Sequence, residues 1–245
     1  MMASTRRAAL LAGWLAALAT GAGAQTAGLA PLAPALRDPA GIASRLAILL
    51  DRQWDHLQWV ARSVQEFWPP QDAEELRFIL DTAHDNAPHI IWIGVATVAD
   101  GRVLAATRKL LEGDDVSQRP WFIEGTRREA AVDVHDAVLL QRALNRDPSQ
   151  GMLRLIDFTS PIRDREGRIV AMIGSHILWE WVVGVIRREE GHAGAPIALI
   201  SAQGEVLLVP EGVPAERLRQ AQRFPVRQRA DAPSFGWQLA VLTGA

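Results

Sequence analysis

The spacing of apolar residues predicts that the folded part of the chain begins with two helices. Apolar positions recur every three or four residues through residues 42–67, with charged residues between them, as in an amphipathic helix. Pro69 and Pro70 end this pattern, because proline donates no amide hydrogen and displaces the preceding residue from the helical region. A shorter helix is predicted over residues 72–83, with Asp72 as its N-cap.

The rest of the chain has the pattern of β-hairpins. Three pairs of apolar runs each surround a short polar turn that contains glycine, which is typical of antiparallel hairpins. These pairs occupy residues 90–107, 153–178 and 196–209. A linking helix is predicted over residues 179–188, and a short helix and two strands follow at residues 214–222, 224–227 and 235–242. Consecutive hairpins with helices grouped apart predict an α+β fold with antiparallel sheets.

The first residues have the pattern of an export signal. Two arginines precede an uncharged, Ala- and Leu-rich run over residues 8–24, which ends in an A-x-A cleavage site. This predicts a signal peptide over residues 1–24. The alternative is an uncleaved N-terminal anchor, since the run approaches the roughly 17 residues that span a bilayer. Residues 25–40 predict a linker, so we expect a periplasmic protein that folds from about Gly41 onward.

Composition excludes several classes of function. The net charge of the 245 residues is −2, which gives no basic face for nucleic acid. Cysteine is absent, so neither a disulfide framework nor a thiolate metal site nor a thiol nucleophile is available. Glycine-rich phosphate loops and dinucleotide fingerprints are also missing from the sequence. We therefore expect no cofactor and no nucleic-acid partner.

Residues 115–122 form the strongest candidate for a binding site. Arg119 offers a planar fork of donors, and Trp121 and Phe122 offer flat apolar walls, so together they suit a small anion with an apolar portion. The alternative is structural. In that case Pro120 begins a short helix, both aromatic residues pack inward, and Arg119 makes an internal ion pair.

Other polar residues lie within apolar sequence. Asp157 and His176 each occupy a predicted strand, where an unpaired polar group is costly, so we expect them to be cavity walls or a mutual ion pair. Asp133, His135 and Asp136 offer oxygen and imidazole groups but no further ligand at a fixed spacing. A loop capped by aspartate is favoured there over a metal site.

A hydrolytic site is the least favoured reading of these residues. Ser160, His176 and Asp157 could be combined as a triad, but the chain has no Gly-x-Ser-x-Gly nucleophile elbow and no glycine-rich oxyanion loop. We therefore expect that the protein is not an enzyme.

Taken together, these motifs resemble a double Cache sensor domain, the PAS-like extracytoplasmic region of bacterial diguanylate cyclases, histidine kinases and chemoreceptors. The motifs that carry the resemblance are Trp-Ile-Gly-Val at 92–95, Asp-Gly-Arg-Val at 100–103, Asp-Val-Ser-Gln-Arg-Pro-Trp-Phe at 115–122, Asp-Val-His at 133–135, Ser-Pro-Ile-Arg-Asp at 160–164 and Gly-Ser-His at 174–176. The resemblance implies a long N-terminal helix with a membrane-distal module over residues 41–190, and a membrane-proximal module over residues 191–245. A small-molecule pocket is implied in the first module.

The resemblance also implies roles for individual residues. In the amino-acid-binding branch of the family, an Arg-x-Trp-Tyr motif holds the ligand carboxylate and a downstream aspartate holds the ammonium group. Arg119 and Trp121 match this motif, but Phe122 replaces the tyrosine and His176 takes the place of the aspartate. Because an imidazole does not replace a carboxylate opposite an ammonium ion, we expect a small organic anion without an amine. The candidate site residues are Arg119, Trp121, Phe122, Trp92, His176, Asp157 and His135.

The expected function is therefore small-molecule sensing in signal transduction. Receptors of this family continue through a transmembrane helix into a cytoplasmic output domain, and this sequence ends at Ala245. We expect a periplasmic ligand-binding protein that acts through a membrane-bound signalling partner. The alternatives are a truncated or split sensor half of a receptor, or an interaction module that binds no ligand.

Overall fold

The computed structural model describes residues 38–242, so the predicted signal peptide and most of the predicted linker lie outside the described residues. Helix α1 spans Pro39–Glu66, and helix α2 spans Ala73–Asp85. Both predicted helices are confirmed, although α1 already includes the last two residues assigned to the linker. Within the described residues, no helix is both long and apolar enough to cross a membrane.

Both helices begin at an aspartate cap. The side chain of Asp38 accepts a hydrogen bond from the Ala40 amide, and that of Asp72 accepts one from the Glu75 amide. Each bond satisfies an amide that has no partner inside its helix. Pro39 is suited to the first position of α1, because its fixed φ angle is helical and its missing amide hydrogen is not needed there.

The first two predicted hairpins form most of a five-stranded antiparallel sheet. Its strands are β1 (Ile90–Thr97), β2 (Val103–Ala106), β3 (Ala130–Asp136), β4 (Arg154–Arg163) and β5 (Ile169–Leu178), in the order β2-β1-β5-β4-β3. The β4–β5 turn places Gly167 at a φ angle of 81°, where a side chain would be strained. Pairing of β1 with β5 joins the two hairpins into one sheet.

Strand β3 corrects one expectation from the sequence, which placed an irregular, aspartate-capped loop around Asp133, His135 and Asp136. These residues instead belong to an edge strand that pairs with β4. The valines at 132 and 134 alternate with polar residues, as expected of a half-buried strand. The polar residues obscured this pattern, and the partners that fix the strand lie 18 to 29 positions further along the chain.

The second sheet follows the linking helix. Short helices α3 (Pro120–Gly125) and α4 (Val138–Ala143) lie between strands of the first sheet, and α5 spans Trp179–Ala193. The remaining elements are β6 (Ile197–Ile200), β7 (Val206–Leu208), α6 (Ala215–Leu218), β8 (Gln222–Pro225) and β9 (Gln238–Val241). The four strands form an antiparallel sheet in the order β7-β6-β9-β8. The predicted α+β fold with antiparallel sheets is confirmed, whereas the boundaries of the two modules remain a prediction.

Helix α1 connects the two sheets. On the side of the first sheet that faces α1, Trp54 packs against Phe158, with ring centroids 5.8 Å apart. Near the second sheet, Arg229 forms a salt bridge with Asp55 of α1. The smaller C-terminal part therefore packs against the long helix.

Candidate ligand-binding site

A cavity of about 230 Å³ lies on the face of the five-stranded sheet opposite α1. It is bordered by the sheet, by helices α3 and α4, and by the loop that follows β2. Its volume is below the range of drug-sized ligand pockets, so it suits a small metabolite. Of the seven candidate residues from the sequence, five line the cavity: Trp92, Arg119, Trp121, His135 and His176.

The register of the sheet places three candidate residues in one row. Trp92 on β1 is paired with His176 on β5, and His176 is paired with Asp157 on β4. The rings of Trp92 and His176 are stacked, with centroids 4.5 Å apart and planes 18° apart. The indole of Trp92 also donates to the carbonyl of Leu110 at 3.0 Å. Both rings therefore have fixed positions in the cavity wall.

Trp121 lies over this row from helix α3. Its ring is 5.7 Å from that of Trp92 and 5.8 Å from that of His176, and it meets each of them edge to face. The close approach requires glycine at position 174, where a Cβ atom would lie 2.8 Å from Cε3 of Trp121. Phe122 is buried but does not line the cavity, because successive helical residues point about 100° apart.

Arg119 precedes α3 and is half-buried in the cavity wall. The structural alternative is partly correct, since Pro120 begins a short helix and both aromatic side chains are buried. The same alternative also predicted an internal ion pair of Arg119, and this part is wrong for the residues that the structure describes. The salt bridges of residues 38–242 include several arginines, but none of them involves Arg119.

Asp157 is fully buried between two imidazoles. Its Oδ1 atom accepts a hydrogen bond from Nδ1 of His176 at 2.7 Å, and its Oδ2 atom lies 3.4 Å from Nε2 of His135. The expected pairing of Asp157 with His176 is present as a hydrogen bond, and His176 also forms part of the cavity wall. Asp157 itself does not line the cavity, because it lies behind the two rings.

The loop after β2 forms another side of the cavity and has an unusual backbone. Arg108, Lys109 and Leu111 have φ angles of 53°, 59° and 66°, a left-handed conformation that costs roughly 1–2 kcal/mol per non-glycine residue. Leu111 contributes to the cavity wall. Such strain persists where surrounding contacts hold it, and here a salt bridge between Arg77 and Glu112 connects the loop to α2.

Several lining residues were missed from the sequence. They are Leu111, Asp136, Ala137, Val138, Leu139, Leu140 and Leu155, whereas Val116 and Pro120 lie within the predicted stretch 115–122. The alternating Val-Asp-Val-His pattern at residues 132–135 is the signal that could have predicted the strand, which brings Asp136 and α4 to the cavity. No local signal indicated Leu111, because its position depends on contacts between the loop and α2.

A metal site has no support at this position. Across residues 38–242, no group of three or more histidine, aspartate or glutamate side chains is placed to hold a metal ion. His135 instead bonds through Nδ1 to the carbonyl oxygen of Asp133 at 3.0 Å.

Solved structures with a similar fold are ligand-binding domains of bacterial receptors. That of the Pseudomonas aeruginosa amino acid chemoreceptor PctC, solved with GABA, has a TM-score of 0.62 at 14% identity, covering 82% of this chain and 95% of that one. That of the Pseudomonas fluorescens chemoreceptor CtaA, solved with L-isoleucine, has a TM-score of 0.58 at 13% identity, covering 82% and 86%.

An extracellular ligand-binding receptor from Desulfohalobium retbaense has a TM-score of 0.61 at 12% identity. The match covers 82% of this chain and 39% of that receptor, so the chain spans well under half of the receptor's length.

No protein-family model matches the chain, and no curated protein is similar to it in sequence. At 12–14% identity the likeness to solved structures establishes the fold alone. The resemblance noted in the sequence is confirmed at that level: the chain has the fold of the Cache-type sensor domains that bind ligands in bacterial chemoreceptors.

Proposed function

We propose that this protein is a periplasmic sensor that binds a small organic anion, a carboxylate without an amine, with Arg119 as its anchor. The observation that carries the proposal is the position of Arg119, which is half-buried at the cavity wall with no carboxylate partner among residues 38–242. A partly desolvated cation without a counter-charge is unfavourable. A ligand carboxylate would supply that charge and two parallel hydrogen bonds.

The remainder of the cavity suits the apolar part of such a ligand. Leu111, Val116 and Leu155 line it together with the rings of Trp92 and Trp121. Apolar walls with a few convergent polar groups are typical of small-molecule sites.

The ligands of the similar domains guide the choice of anion. PctC was solved with GABA and CtaA with L-isoleucine, and both compounds carry a carboxylate and an ammonium group. In this chain Asp157 is buried behind His176 and already bonded to it, and Asp136 is exposed. An ammonium group would therefore lose water without gaining a well-placed counter-charge, which favours a carboxylate that lacks one.

Calorimetric titration of the purified full-length chain tests the proposal. The probes are acetate, propionate, butyrate and GABA, added to wild type, to Arg119→Ala and to Arg128→Ala. Arg128 is the matched control because its side chain is 71% exposed and lies outside the cavity. We expect propionate or butyrate to bind wild type and the control equally. Arg119→Ala should weaken binding about 10- to 100-fold, the loss expected for hydrogen bonds between charged groups.

Two results would contradict the proposal. Binding that is equal in Arg119→Ala and Arg128→Ala would remove Arg119 as the anchor. Tighter binding of GABA than of butyrate would show that the site accommodates an amine.

Location and partner form the other part of the proposal. The predicted signal peptide and the extracellular origin of the similar receptor domains support a periplasmic protein, and we infer that it signals through a membrane-bound partner rather than by catalysis. Fractionation of cells that express the full-length chain should find it in the periplasm or on the periplasmic face of the inner membrane. A cytoplasmic protein would contradict this location.

A further inference from the structure

His176 offers a second polar group to the cavity besides Arg119. One edge of its ring, at Nδ1, is bonded to Asp157 at 2.7 Å. The opposite edge, at Nε2, has no hydrogen-bond partner among residues 38–242, although the side chain is only 8% exposed. Since the ring lines the cavity and is stacked on Trp92, Nε2 is an unpartnered atom of a buried side chain and is available to a ligand.

Whether Nε2 of His176 donates or accepts a hydrogen bond depends on which imidazole balances the charge of Asp157. Oδ1 already receives the hydrogen of His176 Nδ1, whereas Oδ2 is buried and accepts no hydrogen bond. The basic group that contacts Oδ2 is Nε2 of His135, at 3.4 Å. A buried carboxylate needs a compensating positive charge, so one of the two imidazoles must carry it.

The hydrogen bonds of His135 indicate that it carries the positive charge. Its Nδ1 atom faces the carbonyl oxygen of Asp133 at 3.0 Å, and a carbonyl only accepts, so Nδ1 must carry a hydrogen. A neutral His135 would then direct a lone pair from Nε2 at Oδ2 of Asp157. The charged form places a hydrogen there instead.

Neighbouring charges favour the same assignment. Asp136 directly follows His135 in β3 and lines the cavity, and Asp133 precedes it by two residues. His176 is therefore the neutral member, with its hydrogen on Nδ1 and a lone pair on Nε2.

We propose that His176 Nε2 is a hydrogen-bond acceptor for the ligand, and that the ligand class is a small hydroxycarboxylate. Its carboxylate binds Arg119 and its hydroxyl donates to Nε2. Asp157 and His135 act as positioning residues, because they fix the tautomer of His176. This inference rests on the proposed function, since it requires a carboxylate at Arg119.

Nitrogen-15 NMR of the imidazoles tests the charge assignment without any ligand. Spectra of the full-length chain at neutral pH are assigned by comparison with His176→Phe and His135→Gln. We expect a neutral His176 with a bare Nε2, and a His135 with hydrogens on both nitrogens. A charged His176 beside a neutral His135 would overturn the proposal.

Binding of matched acids tests the ligand class. The pairs are propionate with lactate, and butyrate with 4-hydroxybutyrate, and succinate presents a second acceptor. We expect at least one hydroxy acid to bind about three- to tenfold tighter than its parent acid, the contribution of one hydrogen bond. Succinate should bind more weakly than butyrate, because its second carboxylate only accepts hydrogen bonds. In His176→Phe, which retains a ring against Trp92, the hydroxy acid and its parent should bind equally.

The positioning role gives a sharper test. In His135→Gln the charge on Asp157 must be balanced by His176, whose Nε2 then becomes a donor. The preference should therefore shift from the hydroxy acid toward succinate, a change that a merely structural effect on folding would not produce. An unchanged preference in a folded His135→Gln would overturn the role of His135.

Failure of the inference is distinguishable from failure of the proposed function. Carboxylates that bind through Arg119 with no advantage for a hydroxyl would refute the role of His176 alone. Carboxylates that do not bind at all, or bind independently of Arg119, would refute the proposed function and this inference with it.

Discussion

Removing the Arg77 side chain tests how the strained loop of the cavity wall is held in place. Arg77 lies on α2, and its Nε and Nη2 atoms donate to the two carboxylate oxygens of Glu112 at 2.9 Å each. Glu112 also accepts a hydrogen bond from the Ala106 amide at 3.0 Å. These bonds connect α2 to the loop that carries Leu111 into the cavity.

The magnitude follows from the burial of the pair. Burial opposes ionisation of Glu112, but the hydrogen bonds from Arg77 and Ala106 and the charges of Arg77 and Lys109 outweigh it, so the pKa of Glu112 lies below its ordinary value. The side chains are 14% and 19% exposed. Breaking a fully buried pair costs about 3–5 kcal/mol, so we expect about 2–3 kcal/mol for this partly solvated one.

Urea unfolding of the full-length chain at neutral pH measures this cost. A double-mutant cycle with Arg77→Met, Glu112→Gln and their combination isolates the interaction, since the amide oxygen of glutamine still accepts from the Ala106 amide. We expect a coupling free energy of about 1.5–3 kcal/mol. Arg168→Met is the control: its pair with Asp164 has an arginine side chain that is 74% exposed, and its loss should cost about 0–1 kcal/mol.

A small coupling energy would refute the reasoning. If the cycle gives less than about 0.5 kcal/mol, or if Arg77→Met costs no more than the surface control, the pair does not hold the loop. The positive φ angles of the loop would then need another source of support.

Two further predictions concern packing and pH. Gly174→Ala should lower the free energy of unfolding in urea by about 1–3 kcal/mol, because the new Cβ would lie 2.8 Å from Cε3 of Trp121. The control is Gly184→Ala, whose Cβ would have nothing within 4 Å, and it should be neutral or stabilising. Equal effects of the two substitutions would contradict the close packing of Trp121 on Gly174. Burial lowers the pKa of His56 below its ordinary value of 6.5, and burial with the charge of His56 lowers that of His89. Because the unfolded chain then binds more protons, stability should be complete above about pH 7.5 and fall as the pH drops through about 6.5. His56→Gln should reduce this slope in urea unfolding, and an unchanged slope would exclude His56 as its cause.

Much of the fold follows from local sequence. The three-and-four spacing through α1 and the aspartate caps of both helices are properties of a few neighbouring residues, and so are the glycine turns of the hairpins. In hairpin β4–β5 the turn also sets the register, so the pairing of Asp157 with His176 follows once the turn is placed. A partner is expected for each of these two residues, because both interrupt apolar strands.

The sequence by itself determined the type and order of the main elements, and it singled out Arg119 and Trp121, which line the cavity. Only the tertiary structure decided that Arg119 has no internal partner among residues 38–242, and that His135 meets Asp157 from an edge strand. It also decided that the loop at Leu111 closes one side of the cavity. The physical reason is the range of the interactions: periodicity and caps depend on neighbouring residues, whereas the cavity depends on strand pairing and salt bridges between residues far apart in the chain.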